Sequence, residues 1–231
     1  MIRLDKVLSH LGYGSRKEVK EIIRKGYVTV NGEVISKDDT KIDEENDEVL
    51  VFDDKIEYDK FIYLMLNKPS GYVSATFDNK LPTVLDLIEG YEKRGLFPVG
   101  RLDIDTYGLL LITNDGMLAH KMLSPKYHVD KKYYLEFNGD FKEENYKKFE
   151  DGIILDDGYK CMSAKFELID KNKGYITIKE GKFHQVKRMM EALNMTVTFL
   201  KRVSFGALKL DDSLKYGEYR KLTEEEIKSL K

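Results

Sequence analysis

The 231-residue chain has one cysteine, four prolines, no tryptophan and four histidines. A single cysteine excludes an internal disulfide, so burial, hydrogen bonds and charge must hold the fold. No apolar run approaches the roughly 20 residues that span a bilayer. The opening residues Met1-Ile2-Arg3-Leu4-Asp5-Lys6 form neither an apolar signal core nor a transit-type segment. These absences lead to the expectation of a soluble, cytoplasmic protein that does not enter a membrane. His10, His120, His128 and His184 are scattered without ligand spacing, which argues against a metal site. An excess of positive charge is also missing. Thirty-nine basic against 41 acidic side chains give a net charge of -2, so any nucleic acid must be held by local patches and not by a bulk positive field.

What is present is 42% hydrophobic and 35% charged residues, enough to build a core beneath a heavily charged surface. The charge is uneven: residues 1–25 hold seven basic and three acidic side chains, whereas residues 26–58 hold three and eleven. Leu4, Val7, Leu8 and Leu11 follow the spacing of a helix with one buried face, and Gly12 and Gly14 break it. Ser15-Arg16-Lys17-Glu18 reads as a capping box that opens a second helix, which Gly26 stops. Arg16, Lys20 and Arg24 form a row beside its apolar stripe. Asn31-Gly32 between two short apolar runs predicts a hairpin with a type I′ turn, and residues 47–52 a further strand. The acidic stretch 38–47 reads as a solvated connection. Charge-rich residues 53–60 read as a linker, which places the domains at 1–58 and 59–231.

Beyond the linker, strands are predicted near residues 61–66, 97–99, 109–113, 133–137, 165–168, 175–179 and 196–203, and helices over 84–88, 118–123, 143–150 and 185–193. Successive strands with irregularly interspersed helices predict an α+β fold with a mostly antiparallel sheet.

Two segments concentrate chemistry-bearing side chains. Gly100-Arg101-Leu102-Asp103-Ile104-Asp105-Thr106-Tyr107-Gly108 places two carboxylates and an arginine in a loop between apolar strands, where functional side chains often sit. The same stretch also fits a solvated charged turn. A metal reading of Asp103 and Asp105 lacks a third ligand at suitable spacing. In and just beyond residues 180–190, Val186, Met189, Met190 and Leu193 form a buried helical stripe that leaves Lys187 and Arg188 off it, which fits a solvated face as well as phosphate or carboxylate contacts. His184 reads as a structural histidine, Tyr133 at the start of a strand as a core residue, and Pro69 and Gly71 as turn residues. Cys161 has no activating surroundings.

Taken in order, Gly100-Arg101-Leu102-Asp103 with Thr106 and Gly108-Leu109, Lys131-Lys132-Tyr133, and His184-Gln185-Val186-Lys187-Arg188-Met189 resemble the motifs of bacterial ribosomal RNA pseudouridine synthases, in particular the RsuA subfamily acting on small-subunit RNA. Asn67-Lys68-Pro69-Ser70-Gly71, Thr113-Asn114-Asp115-Gly116, Leu200-Lys201-Arg202 with Gly206, and Gly217-Glu218-Tyr219-Arg220 extend the likeness nearly to the carboxyl end. The amino-terminal unit resembles the small RNA-binding domain first described in ribosomal protein S-four. The resemblance implies a helix–helix–hairpin RNA-binding domain followed by a pseudouridine synthase domain.

It further implies Asp103 as nucleophile, with no cofactor and no metal, because moving the ribose from nitrogen to carbon five of the same uracil involves no net redox change. It places Lys187 as the cation facing Asp103, where many relatives have arginine, and Tyr133 as the active-site tyrosine, able to pack on the base or to take a proton. Arg101 is implied as a wedge or phosphate contact beside a flipped uridine. Arg3, Lys6, Arg16, Lys17, Lys20 and Arg24 are implied as contacts to the RNA backbone. The subfamily likeness points to uridine 516 of 16S RNA, to 16S RNA or a small-subunit assembly intermediate as partner, and to a monomer. Three alternatives stay open: a synthase acting on 23S RNA, a noncatalytic RNA-binding assembly factor, and a retaining nucleosidase or glycosidase using two carboxylates.

Overall fold

The computed structural model describes residues 1–44, 46–92 and 94–230. The chain divides into two compact units: Met1–Ile62 with Gly90–Gly95, and Tyr63–Glu89 with Leu96–Lys231.

The first unit runs β1 (Ile2–Arg3), α1 (Leu4–His10), α2 (Arg16–Arg24), β2 (Val28–Val30), β3 (Glu33–Val34), β4 (Lys41–Ile42), β5 (Val49–Val51) and β6 (Asp54–Lys55). The capping box forms: the Glu18 carboxylate accepts from the Ser15 N–H at 2.6 Å, and the Ser15 hydroxyl accepts from the Glu18 N–H at 3.4 Å. Asn31 and Gly32 both take positive φ, 53° and 84°, which is the turn that joins β2 to β3 without splaying them. Leu4, Val7, Leu8, Val19, Ile23 and Val28 are fully buried and form the centre of this unit's core. Each such burial contributes about 2 kcal/mol.

Three expectations need correction here. The stretch 38–47 is more than a solvated connection: Lys41 and Ile42 pair with Arg3 and Ile2, and Ile42 joins the core. Residues 53–60 are more than a linker, because Phe52 and Asp53 take positive φ and turn the chain so that β6 pairs with β5. Phe52 is a residue that rarely adopts that conformation, and its ring packs on Tyr27 at 5.1 Å. The unit also extends to Ile62, past the boundary expected at residue 58, and regains 90–95. There the Arg94 guanidinium lies 4.6 Å over the Tyr58 ring and donates to the Asp59 carbonyl.

The second unit contains β7 (Tyr63–Lys68), β8 (Phe97–Pro98), β9 (Tyr107–Thr113), α3 (Gly116–Leu123), β10 (Lys131–Asn138), α4 (Glu144–Asp151), β11 (Lys165–Asp170), β12 (Lys173–Ile178), α5 (Gln185–Glu191), β13 (Thr196–Phe205), β14 (Leu208–Lys209), β15 (Tyr219–Lys221) and α6 (Glu224–Leu230). Among the described residues they form a nine-stranded sheet in the order β11-β12-β10-β13-β9-β7-β15, with β14 on β13 and β8 on β9. β9 and β13 pair in parallel and the other pairs are antiparallel, so the mostly antiparallel α+β sheet expected from the sequence is present. Alternation is clean in β10, where Lys131, Tyr133, Leu135 and Phe137 point inward. Every residue of β7 is buried, as suits a strand covered on both faces. The helix expected at 84–88 is a 3-10 turn, Val84–Leu87, and β14, β15 and α6 lie where no element was predicted.

The parallel pairing of β9 with β13 brings two backbones unusually close at Gly108, whose φ is +101°. A Cβ there would lie 2.2 Å from the Arg202 carbonyl oxygen, so only glycine fits. This approach fixes the start of β9, and with it the end of the loop that carries Asp103.

Candidate active site

The loop between β8 and β9 is pinned at several backbone atoms. The buried Lys68 ammonium donates into a nest of carbonyl oxygens: Thr106 at 2.9 Å, Pro69 at 3.0 Å, Asp103 at 3.1 Å and Ile104 at 3.2 Å. Ser74 bonds both the carbonyl and the N–H of Leu102, at 2.9 and 3.0 Å, and the Gly71 N–H donates to the Ile104 carbonyl at 2.8 Å. Burial lowers the Lys68 pKa to about 8, although the Asp105 and Asp103 charges act against it. The Asp103 carboxylate therefore projects from a rigid backbone, a precondition for accurate positioning.

Across from it, Val186, Met189 and Met190 bury one face of α5 and leave Lys187 to reach the loop. Its ammonium lies 3.3 Å from Asp103 Oδ2 and 2.6 Å from Asp105 Oδ1. The expected facing of Lys187 and Asp103 is present, but the cation is shared and sits closer to Asp105. Burial raises the Asp105 pKa, but the bond to Lys187 and that charge outweigh it, so the carboxyl falls below its ordinary value. His184 was read as structural, yet its Nε2 is 3.7 Å from Asp103 Oδ1. It adopts a left-handed conformation, φ 49°, at the start of α5, and its ring stacks on the exposed Phe183 at 3.8 Å.

Tyr133 is core-like in burial, at 7% exposure, but it also lines a pocket of about 60 Å³ with Arg101, Asp103, Thr106, His184 and Gln185. Arg101 is exposed at the rim. Arg188 turns away and pairs with Asp156 and with Asp157, the latter at 2.7 Å, so both members of the basic pair contact carboxylates. Burial pushes the Cys161 thiol up to about 11, unlike a nucleophile. Among the described residues no three His, Cys, Asp or Glu side chains are grouped to hold a metal ion. No helix among them is long and apolar enough to cross a membrane.

Lys68 and His184 are the site residues missed in the sequence. Lys68 carried a signal of sorts, a lysine two residues after the apolar run of residues 61–66, where an ammonium needs several acceptors to be buried.

In the first unit Arg3, Lys6, Arg16, Lys17 and Lys20 line one depression of about 510 Å³ together with Asp5. Arg3 pairs with Asp5 at 2.8 Å, and Asp38 takes both Arg24 at 2.7 Å and Lys20 at 3.7 Å. Among the described residues, Lys6, Arg16 and Lys17 are exposed and without a carboxylate partner, so this face has less uncompensated charge than the sequence suggests. Arg24 lies outside the depression.

Comparison with known proteins places these features. The model of the RNA pseudouridylate synthase family matches residues 62–192, and that of the S4 domain matches residues 2–49. YtzG of Bacillus subtilis (strain 168), named as an uncharacterized RNA pseudouridine synthase, is 46% identical over 231 residues, spanning 98% of this chain and 97% of that one. The ribosomal large subunit pseudouridine synthase B of the same organism is 40% identical, covering 100% and 96%. The ribosomal small subunit pseudouridine synthase A of Haemophilus influenzae is 38% identical, covering 99% of each chain. A crystal structure of a pseudouridylate synthase superposes with a TM-score of 0.70 at 36% identity, over the full length of both chains.

Proposed function

The chain belongs to the RNA pseudouridylate synthase family and carries an S4 domain, and on that premise we propose that it isomerises one uridine of ribosomal RNA to pseudouridine, with Asp103 as the nucleophile. The observation that carries the assignment of Asp103 is its place on a pinned loop, opposite the Lys187 ammonium and in one pocket with Tyr133.

The site suits the chemistry. An ionised Asp103 adds to the ribose carbon that bears the base, or assists departure of uracil to leave an unsaturated sugar. The freed uracil turns over in place and its carbon five bonds to the ribose as the Asp103–ribose bond breaks or, on the unsaturated sugar, as the proton taken from the neighbouring ribose carbon is returned. The proton on carbon five then passes to the Tyr133 oxygen as that hydroxyl gives its own proton to solvent. Lys187 places a positive charge beside both carboxylates and holds Asp105 below its ordinary value. The pocket, about 60 Å³ and flanked by buried side chains, cannot be reached by a uridine stacked in a helix, so the nucleotide flips out, with Arg101 at the rim beside the space it vacates. No part of this route needs a metal or an organic cofactor. The catalytic side chains all lie in the second unit of a single chain, which supports a monomer as the working form.

The RsuA-like motifs favour uridine 516 of 16S RNA, free or in a small-subunit assembly intermediate. The 40% identity to a large-subunit synthase favours 23S RNA as the second reading. Incubating the protein with unmodified 16S and 23S RNA and mapping alkali-resistant carbodiimide adducts by primer extension decides between them. A single new stop at uridine 516 is the expected result, and a stop confined to 23S RNA would favour the second reading.

Two further outcomes follow. Replacing Lys6, Arg16 and Lys17 by glutamine should weaken RNA binding and reduce the slope of log affinity against log salt by about two to three, since each phosphate contact contributes roughly 0.7 to 0.9. Turnover at saturating RNA should not change. An unaltered salt slope would place the phosphate contacts elsewhere.

Lys187→Met removes the cation that holds Asp105 low and faces Asp103. A carboxylate lowered by a cation is ionised above its depressed pKa, so losing the cation moves ionisation to higher pH. The Asp105 carboxyl should titrate at higher pH in Lys187→Met, as followed by carboxyl-carbon NMR, and Lys187→Arg should hold it low again. An unmoved Asp105 titration together with a loss of RNA affinity in proportion to rate would make Lys187 a phosphate contact instead.

A further inference from the structure

Next to the Asp103 pocket lies a second cavity of about 410 Å³ in the same unit, sharing Arg101, Tyr133, Gly181 and Lys182 with it. Its other basic side chains are Lys131, Lys179 and Arg202, set against one carboxylate, Glu180. Glu180 is engaged elsewhere: it accepts from the Tyr159 hydroxyl at 2.7 Å, the Gln185 amide at 2.7 Å and the Met162 N–H at 2.8 Å.

Two of the cations are buried, which is costly without a counter-charge. Arg202 is 2% exposed and Lys131 9%. The Arg202 Nε–H donates to the Leu109 carbonyl at 2.8 Å, while Nη2 is buried without a hydrogen-bond partner. The Lys131 ammonium donates to the Val129 carbonyl at 3.0 Å, and lies over the same Phe205 ring as the Arg202 guanidinium, at 5.4 and 4.7 Å. Among the described residues neither forms an ion pair with a carboxylate; the Tyr133 side chain hydrogen-bonds the Arg202 guanidinium, and the more distant Asp130 and Glu180 charges only partly offset the burial of Lys131. Burial and the Arg202 charge lower the Lys131 pKa to about 8. Two cations thus face one cavity in a poorly solvated setting, and an anion entering it would be attracted by both.

We propose that this cavity is a phosphate subsite that holds a backbone phosphodiester flanking the target uridine, with Lys131 as the contact and buried Arg202 as the fixed charge behind it. The inference rests on the reading of the neighbouring pocket as the uridine site. The shared wall of Arg101, Tyr133, Gly181 and Lys182 puts the two cavities side by side, so one nucleotide could place its sugar against Asp103 and its phosphate against Lys131. Binding energy gained at the phosphate would hold the flipped nucleotide in register, which is a use of remote contacts that raises affinity and accuracy without touching the reacting atoms.

The test separates this subsite from the catalytic reading. In the full-length protein, inorganic phosphate is titrated at constant ionic strength against chloride while the melting temperature is followed. Wild type and Asp103→Asn should be stabilised alike, and Lys131→Gln should lose most of the effect. With ribosomal RNA as substrate, Lys131→Gln should raise KM about tenfold, with the loss falling on KM more than on kcat, and Lys131→Arg should restore most of it. A substrate whose flanking phosphate is replaced by a neutral methylphosphonate should lose the same factor with wild type and nothing further with Lys131→Gln. An equal phosphate response in wild type and Lys131→Gln, or a full methylphosphonate penalty in Lys131→Gln, overturns the subsite. Saturable stabilisation by phosphate in wild type without the methylphosphonate effect identifies a site for free phosphate and also overturns the backbone contact. A protein that makes no pseudouridine but shows the Lys131-dependent phosphate response refutes the catalytic reading and leaves the anion site standing.

Discussion

Asp103→Asn should lower pseudouridine formation by at least about 10³-fold, because removing a covalent nucleophile eliminates the route it opens and does not merely slow it. The amide keeps the shape of the side chain but carries no negative charge. The fold should survive, since the loop is held by backbone bonds from Lys68, Ser74 and Gly71 and not by the carboxylate. RNA affinity should change little or tighten slightly, because one negative charge near the RNA is lost. Asp105→Asn is the control. Its carboxylate is 62% exposed and its close partner is Lys187, which can then turn fully to Asp103, so turnover should stay within about tenfold. Product formation with filter binding on the same preparations checks both variants. Comparable residual turnover in the two would remove the distinction between the carboxylates.

The second large effect is expected at a residue that touches no substrate. Lys68→Met leaves the carbonyls of Pro69, Asp103, Ile104 and Thr106 without their shared donor. Unpaired carbonyls at a partly buried site each cost about 1 to 3 kcal/mol, and the loop would relax towards water to recover the bonds. A displacement of about 1 Å at a nucleophile costs on the order of a hundredfold in rate, so kcat should fall by about that factor while RNA affinity is retained. The variant also has a signature in stability. Folding lowers the Lys68 pKa from 10.5 to about 8, so between those values the unfolded chain binds a proton that the folded chain has released. In that window the lysine makes stability rise with pH, and below about pH 8 its burial is a full penalty. Lys68→Met should remove this rise. A variant with wild-type kcat would show that the ammonium does not position the loop.

How much of this was visible in the sequence depended on the range of the interactions. The helix pair, its capping box and the Asn31-Gly32 turn are local patterns, and they lie where the residues placed them. The loop from Gly100 to Thr106 and the stripe of α5 were legible for the same reason, as polar residues framed by apolar runs. Features set by contacts distant in sequence were not. β4 is two residues long and exists because Ile42 finds Ile2 across forty positions. Lys68 reads as the polar end of a strand, and nothing nearby shows that carbonyls 35 to 38 residues later surround its ammonium. His184 lacked any neighbouring histidine or cysteine and so resembled a structural residue, yet the left-handed turn before α5 brings it to Asp103. The basic row of α2 looked uncompensated because Asp38, fourteen residues beyond Arg24, folds back against it.

The central claim is that this chain breaks the bond between uracil and ribose and remakes it through carbon five. The direct measurement uses 16S RNA transcribed with uridine tritiated at carbon five, incubated with the full-length protein and digested to nucleosides. The account predicts tritium released to water in proportion to pseudouridine formed, at most one per RNA molecule, with no free uracil, and neither product from Asp103→Asn. Free uracil without pseudouridine would identify a nucleosidase. Unchanged uridine in both 16S RNA and a parallel 23S transcript, with tight binding intact, would contradict the account and leave an RNA-binding protein without this chemistry.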